Sequence, residues 1–255
     1  MQLPVNAFKR GLAEGRSQIG LWCSLAHHYS LEAVAGAGFD WLLLDCEHSP
    51  NDLESLLQQM QAVAGYPSEA VVRVPWNDTV NIKRVLDAGA RNLLIPYVQN
   101  PEEARAAVAA TRYPPQGVRG VSMTTRATRF GRIRDYAQRA HEEICLMLQV
   151  ETREALEHIE AIAAIDGVDG IFIGPGDLHA SMGLVGETGN PAVVPLIEDA
   201  LRRIRKAGKA PGILTADEAL ARRYIEAGAL FTAVGADVGI LARGADQLAA
   251  KFGRG

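Results

Sequence analysis

The chain has 255 residues, of which 48% are hydrophobic and 22% charged, so it is long enough to bury a large globular core. The net charge of −4 and the scattered basic residues argue against a nucleic-acid-binding protein. Cys23, Cys46 and Cys145 lack CxxC spacing, which favours reduced thiols over a disulfide framework or zinc knuckle. No apolar stretch approaches the ~20 residues that span a bilayer, and the N-terminus lacks a signal-peptide run. We therefore expect a soluble, cytoplasmic protein.

Eight short apolar runs recur along the chain. They are apolar nearly throughout rather than alternating, as expected for parallel strands buried on both faces. The predicted strands cover residues 18–24, 40–45, 70–74, 92–98, 144–150, 170–174, 210–214 and 231–235.

Segments with helical spacing of apolar residues lie between these strands, at residues 31–38, 51–65, 78–90, 101–112, 152–165 and 216–229. Eight strands followed by helical sequence, in about 250 residues, predict a single α/β domain over 1–255, a (β/α)₈ or TIM barrel. A doubly wound open sheet is disfavoured because no GxGxxG follows the first strand. Two long connections, 113–141 and 175–191, follow strands four and six and are expected to shape the active site.

Polar residues end several of the predicted strands, where the catalytic groups of such barrels lie. Asp45 and His48 follow strand two, close enough for the carboxylate to orient the imidazole as an acid/base. Arg73 stands inside an apolar strand, where burial requires anionic partners. No lysine ends a predicted strand, which disfavours Schiff-base chemistry.

Glu151 and Asp177 end adjacent predicted strands and together suit Mg²⁺ or Mn²⁺ with open coordination positions. Gln149 lies two residues before Glu151 and should point to the same side of the strand. Each has a structural alternative: Asp177 as a helix cap, and Gln149 as a hydrogen-bonding residue of the barrel interior.

Several segments together resemble the HpcH/HpaI family of class II pyruvate aldolases, from about residue 6 to the C-terminus. They are WLLLDCEHSPND, VVRVPWND, ATRYPPQGVRGV, LQVETREAL, GVDGIFIGPGDL and GKAPGIL. The resemblance implies a (β/α)₈ barrel, a homo-oligomer (trimer or hexamer) whose last helix packs on or exchanges with a neighbouring subunit, and no organic cofactor.

The resemblance also implies roles for the polar residues around the metal. Glu151 and Asp177 match the ligands of a divalent metal (Mg²⁺, Mn²⁺ or Co²⁺), and Gln149 matches a residue beside them. Gly174 and Gly176 match the backbone turn that binds the pyruvate carboxylate.

Other matches concern proton transfer and substrate. Arg73 matches the arginine that contacts the pyruvate oxygen, and His48 and Asp45 match the acid/base pair. Asp87 matches an aspartate that reaches the active site of a neighbouring subunit. Two further residues match the boundary of the aldehyde pocket, Trp22 and Leu214.

The implied reaction is reversible aldol cleavage of a 4-hydroxy-2-oxo acid to pyruvate and an aldehyde through a pyruvate enolate, as in aromatic-compound catabolism. Departures from the family pattern at Cys46, Gly176, His179 and loop 122–131 leave the aldehyde open. The alternatives are an aldolase for 2-keto-3-deoxy sugar acids, a CoA-ester lyase of the citrate lyase β-subunit type, and an inactive barrel that serves assembly. The loop arginines at 119, 126 and 129 either bind a distal substrate carboxylate or form subunit contacts.

Overall fold

The computed structural model describes residues 1–254 and contains eight parallel strands that close into one barrel, with β8 paired to β1. The strands are β1 (Gln18–Cys23), β2 (Trp41–Asp45), β3 (Glu69–Arg73), β4 (Asn92–Ile95), β5 (Cys145–Val150), β6 (Gly170–Ile173), β7 (Ala210–Leu214) and β8 (Phe231–Ala236). The predicted barrel is confirmed; β7 has the predicted bounds, and the other strands differ from prediction at one or both ends by one to three residues. The largest shift is at β4, which ends before Pro96 because proline has no N–H to continue the strand pairing.

Helices lie between the strands and at both ends of the chain. They are α1 (Ala7–Ala13), α2 (His28–Ala35), α3 (Leu53–Val63), α4 (Thr79–Asp87), α5 (Pro101–Thr111), α6 (Tyr136–Glu143), α7 (Arg153–Leu156), α8 (Ile159–Ala163), α9 (Pro175–Ser181), α10 (Val194–Lys206), α11 (Glu218–Glu226) and α12 (Asp237–Ala250). Side-chain caps start most of the helices that the sequence predicted; for example, Asn100 Oδ1 accepts from Glu103 N at 2.9 Å at the start of α5.

One helical assignment from the sequence needs correction. The helix predicted over 152–165 is two short helices, because the chain tightens into i→i−3 hydrogen bonds at Glu157 and His158. The two long connections, 113–141 and 175–191, also contain helix, since α6 begins near the end of the first and α9 opens the second.

Two apolar cores hold the barrel together. The larger core lies between the strands and the surrounding helices, and the smaller fills the barrel interior. The N-terminal helix closes one end of the interior: the Phe8 ring lies 6.0 Å from Trp41 and 6.1 Å from Phe231, the first residues of β2 and β8. With that end closed, the interior is open only at the carboxyl ends of the strands.

The last helix differs from the others because it packs little of its surface. In α12 only Asp237 is buried, and its carboxylate accepts the N–H groups of Ser24 and Leu25 at 2.8 and 3.3 Å. The rest of the helix exposes apolar side chains, among them Val238, Ile240, Leu241 and Leu248. None of the helices within residues 1–254 is both long and apolar enough to cross a membrane.

Candidate active site

The first part of the site is an ion pair between the ends of β2 and β3. The register pairs Asp45 with Arg73, so their side chains meet at the barrel mouth. Arg73 Nε and Nη2 donate to the two Asp45 oxygens at 2.9 and 2.6 Å, and Trp22 Nε1 donates to Asp45 Oδ2 at 3.1 Å. Arg73 is only 6% exposed and Asp45 1%, so each charge is buried against its partner. The anionic partner that the sequence requires for Arg73 is therefore Asp45.

Glu47 is a second partner of the arginine, and the sequence reasoning did not select it. Its Oε2 lies 2.7 Å from Arg73 Nη1, without hydrogen-bond alignment, and the Arg73 guanidinium lies over the Trp22 ring at 4.7 Å. Burial raises the pKa of Glu47, although Arg73 opposes that effect. Burial also acts to raise the pKa of Asp45, but hydrogen bonds and the charge of Arg73 outweigh it and lower that pKa. The only signal for Glu47 in the sequence was its position directly after β2.

His48 lies at the rim of the mouth with an exposed imidazole. Asp45 Oδ1 accepts the backbone N–H of His48 at 3.3 Å. The carboxylate paired with the imidazole is instead Glu47, whose Oε2 lies 3.9 Å from His48 Nε2. In the structure, Asp45 thus holds the backbone of this loop and the Arg73 guanidinium, and the imidazole remains free to meet a substrate.

The second part of the site is a buried carboxylate at the end of β5. Glu151 Oε1 accepts the backbone N–H of Tyr97 at 2.8 Å, and Glu151 Oε2 accepts from Gln149 Nε2 at 2.6 Å. The two side chains therefore share one side of the strand, as the sequence predicts. The pKa of Glu151 is raised to about 7, chiefly by burial and also by the charges of Asp177 and Glu47, against the lowering effect of those hydrogen bonds. A cation would relieve this accumulation of negative charge, so the local electrostatics favour one.

The turn after β6 lies against that carboxylate. Gly174 is the N-cap residue of α9, and a Cβ at this position would collide with Glu151 Oε2 and Cβ. Asp177 stands in the first turn of α9 with an exposed carboxylate, and no side-chain cap bond starts this helix. A Cβ on Gly176 would meet open space. Glycine is therefore required for space at position 174 but not at position 176.

These residues fit a divalent cation in an open site. Within residues 1–254 no cluster of three or more His, Cys, Asp and Glu side chains forms a ready-made metal site. Glu151 and Asp177 are two carboxylates of the kind that Mg²⁺ and Mn²⁺ prefer, and such sites leave positions for water and substrate oxygens. The buried Gln149 Oε1 has no partner in the described part of the chain. An unpartnered polar oxygen beside a carboxylate of raised pKa fits an oxygen-binding cation.

Apolar and aromatic side chains form the walls next to the ion pair. The Trp22 ring lies 5.7 Å from the ring of Phe172 on β6, and Leu214 is the half-buried last residue of β7. Cys46 packs beside Asp45, and burial followed by the charge of Asp45 raises the pKa of its thiol to about 12. The thiol is therefore protonated near neutral pH and is no nucleophile.

Asp87 is the one predicted catalytic residue that the fold places away from this mouth. It ends α4, which runs antiparallel to the strands, and so it lies at the N-terminal end of the barrel. Its carboxylate pairs with Arg119 Nη2 at 2.8 Å, and that fully buried guanidinium lies over the rings of Tyr113 and Tyr136 at 4.5 and 5.6 Å. Asp87 is therefore not part of the active site of its own chain.

Comparisons with known proteins agree with this geometry. Residues 18–244 match the family model described as HpcH/HpaI aldolase/citrate lyase. The chain is 59% identical over 249 residues to a 4-hydroxy-2-oxo-heptane-1,7-dioate aldolase of Salmonella arizonae, covering 97% of this chain and 95% of the relative.

Solved structures give the same result. A HpcH/HpaI aldolase/citrate lyase family protein from Burkholderia cenocepacia J2315 superposes with a TM-score of 0.93 at 42% identity, covering 97% of this chain and 99% of the other. An HpcH/HpaI aldolase from Desulfitobacterium hafniense DCB-2 gives 0.85 at 30% identity, covering 95% and 96%. Both are similar to this chain over nearly its whole length. The protein is therefore a carbon–carbon lyase that belongs to the HpcH/HpaI aldolase/citrate lyase family.

Proposed function

We propose that the protein catalyses reversible aldol cleavage of 4-hydroxy-2-oxo acids to pyruvate and an aldehyde, with a divalent cation (Mg²⁺, Mn²⁺ or Co²⁺) held by Glu151 and Asp177. The observation that carries the proposal is the single barrel mouth that holds the buried Arg73 with its partner Glu47 and, within electrostatic range of Glu47, the carboxylates of Glu151 and Asp177. The 59% identity to a 4-hydroxy-2-oxo-heptane-1,7-dioate aldolase supports a dicarboxylic substrate over the deoxy sugar acids. Cleavage of that seven-carbon diacid between C3 and C4 gives pyruvate and a four-carbon semialdehyde.

Each residue has a role in this proposal. A divalent cation held by Glu151 and Asp177 would stabilise negative charge on the 2-oxo group. Arg73, preorganised by Asp45, stabilises the same charge as the pyruvate enolate forms. His48, exposed at the rim, takes the proton from the C4 hydroxyl as the C3–C4 bond breaks, and Glu47 lies near its imidazole.

Substrate binding completes the proposal. The backbone turn at Gly174 and Gly176 binds the pyruvate carboxylate, and Gln149 lies next to the cation. Trp22 and Leu214 bound the aldehyde pocket, since both lie at strand ends on the mouth.

We also propose a homo-oligomer, a trimer or hexamer, in which α12 packs on a neighbouring subunit and Asp87 reaches the neighbour's active site. The exposed apolar residues of α12 support the first contact. The distance of Asp87 from the mouth of its own barrel supports the second. We also propose that the protein is located in the cytoplasm.

Exchange of the pyruvate methyl protons with deuterium, followed by NMR, tests the proposal. Exchange should stop with EDTA and return with Mg²⁺ or Mn²⁺. Arg73→Ala should lower it by on the order of 10²–10³, the typical effect of removing a preorganised electrostatic group. His48→Ala should spare exchange more than aldol cleavage, and His141→Ala, an exposed histidine of α6, is the matched control.

Two results would contradict the proposal. Absence of exchange with every metal would remove the pyruvate assignment and favour the CoA-ester lyase or an inactive barrel. Equal losses of exchange and cleavage in His48→Ala would contradict the division of roles between His48 and Arg73.

A further inference from the structure

A second cavity, of about 230 Å³, lies at the N-terminal end of the barrel. Its walls come from the starts of β3 and β4, the end of α3, and the loop segment 126–129. The mouth that holds Glu151 lies at the other end of the strands. This cavity is therefore distinct from the candidate active site of its own chain.

The charges around this cavity are unbalanced. Three arginines line it, Arg91, Arg126 and Arg129, but only one acidic residue, Glu69. Arg91 is already engaged: its Nη2 pairs with Glu69 at 3.2 Å and its Nη1 donates to the carbonyl of Val5 at 2.8 Å. The one acid is therefore committed to Arg91.

The other two arginines have no anionic partner in the described part of the chain. Arg126 is half-buried, and its Nη1 donates to the carbonyl of Ala88 at 2.9 Å. Burial, followed by the charge of Arg129, lowers the pKa of Arg126. Arg129 is exposed at this segment, so the cost falls on the half-buried Arg126 beside a second positive charge, and an anion bound at both arginines would offset it.

The backbone is shaped to hold Arg126 in this position. Gly89 has φ +100°, a conformation that side chains disfavour, and a Cβ there would lie 2.7 Å from Arg126 Nη1. The guanidinium therefore lies directly over Gly89. Ala127 N also donates to Asp87 O at 3.2 Å, which ties the loop segment to the end of α4.

We infer that this cavity binds a small organic carboxylate. The guanidinium groups of Arg126 and Arg129 match the planar charge of a carboxylate, which arginine binds in a bidentate manner. Met60, Val63 and Leu3 provide an apolar wall for a short hydrocarbon chain. A compact inorganic anion would use the arginines but not that wall, so the site should prefer the organic acid.

Isothermal titration of the metal-free full-length protein with succinate, and separately with inorganic phosphate, tests the inference. Removing the metal prevents chelation of the probe at Glu151. Succinate should bind at one site per chain, more tightly than phosphate. Arg126→Gln and Arg129→Gln should each weaken it at least about tenfold, as expected for loss of a charge-assisted hydrogen bond. Arg134→Gln, an exposed arginine of the same loop, is the matched control and should bind succinate as the natural protein does.

The succinate titration is separate from the test of the proposed reaction. Deuterium exchange into pyruvate should be unchanged in Arg126→Gln and Arg129→Gln. Unweakened succinate binding in both variants would overturn the inference. Displacement of succinate by pyruvate would also overturn it, because succinate would then be bound in the active site. Absence of succinate binding to the natural protein at about 10 mM, well above the range of a specific site, would overturn it too. Tighter binding of phosphate would overturn the ligand class.

Discussion

Replacing Asp45 with asparagine tests whether its pairing with Arg73 organises the mouth. Asp45 Oδ1 accepts from Arg73 Nε and from the backbone N–H of Glu47, while Oδ2 accepts from Arg73 Nη2 and Trp22 Nε1. Every neighbour is thus a donor. The amide nitrogen of asparagine is also a donor. In one orientation of the amide, Arg73 Nη2 and Trp22 Nε1 lose their acceptor; in the other, Arg73 Nε and the backbone N–H groups of Glu47 and His48 lose theirs.

The size of the effect follows from these contacts. Each buried donor left unpaired costs roughly 1–3 kcal/mol, and removing one partner of a buried ion pair costs roughly 3–5 kcal/mol. Glu47 still lies 2.7 Å from Arg73 Nη1 and compensates part of the lost charge. We therefore expect the free energy of unfolding to fall by about 3 kcal/mol at pH 7, or a melting temperature lower by about 9 °C for a chain of this size.

Acid should remove this difference. Because the folded chain lowers the pKa of Asp45, its ionised form stabilises the fold above the ordinary carboxyl pKa. That contribution is lost as the pH falls through the lower folded pKa. The natural protein and Asp45→Asn should therefore approach each other in stability as the pH falls below the ordinary carboxyl pKa and through the lower folded pKa of Asp45.

Urea denaturation at pH 7 and at acid pH measures both quantities. The control is Asp166→Asn, since that carboxylate is 90% exposed and pairs with Arg112 at the surface. We expect the control to stay within about 0.5 kcal/mol. A change of that small size in Asp45→Asn at pH 7, or a difference that persists in acid, would refute the reasoning.

Three further predictions concern the carboxylate site and the last helix. Gly174→Ala places a methyl group against Glu151, so we expect metal-dependent pyruvate exchange to fall at least about tenfold; Gly65→Ala, whose Cβ meets open space, should leave it unchanged. Folding raises the pKa of Glu151 to about 7. The free energy of unfolding of the metal-free protein should therefore fall as the pH rises from the ordinary carboxyl pKa toward 7. Between pH 5 and pH 8 the melting temperature of Glu151→Gln should fall less than that of the natural protein. An equal fall in both proteins would contradict the raised pKa of Glu151. Leu241→Asp combined with Leu248→Asp should lower the assembly mass measured by light scattering, and an unchanged mass would exclude α12 as a subunit contact.

Much of the site could be predicted from local sequence. Apolar runs of strand length, separated by helical segments, specify parallel strands because burial on both faces leaves no room for alternation. The two-residue strand period placed Gln149 and Glu151 on one side, and their 2.6 Å hydrogen bond agrees. The cost of burying a charge required an anion for Arg73 before its partner was known.

The partners themselves were decided by tertiary structure. Asp45 stands three residues from His48 in sequence, yet the pairing of β2 with β3 aligns it with Arg73, 28 residues away, and the short ion pair follows from that register. Glu47 joins the arginine for the same reason. Sequence spacing cannot rank such contacts, because they depend on which strands become neighbours and in what register.

The direction of the helices relative to the strands determined where Asp87 and Arg126 lie. Asp87 and Arg126 lie near each other at the N-terminal end of the barrel, since α4 runs antiparallel to the strands and loop segment 126–129 is hydrogen-bonded to its end. From the sequence, Asp87 was expected in the active site of a neighbouring subunit, and Arg126 was left open between a distal substrate carboxylate and a subunit contact. Sequence by itself determined the barrel and the candidate residues, whereas the folded barrel determined which of them share a mouth, because strand register and helix direction set the distances between residues far apart in the chain.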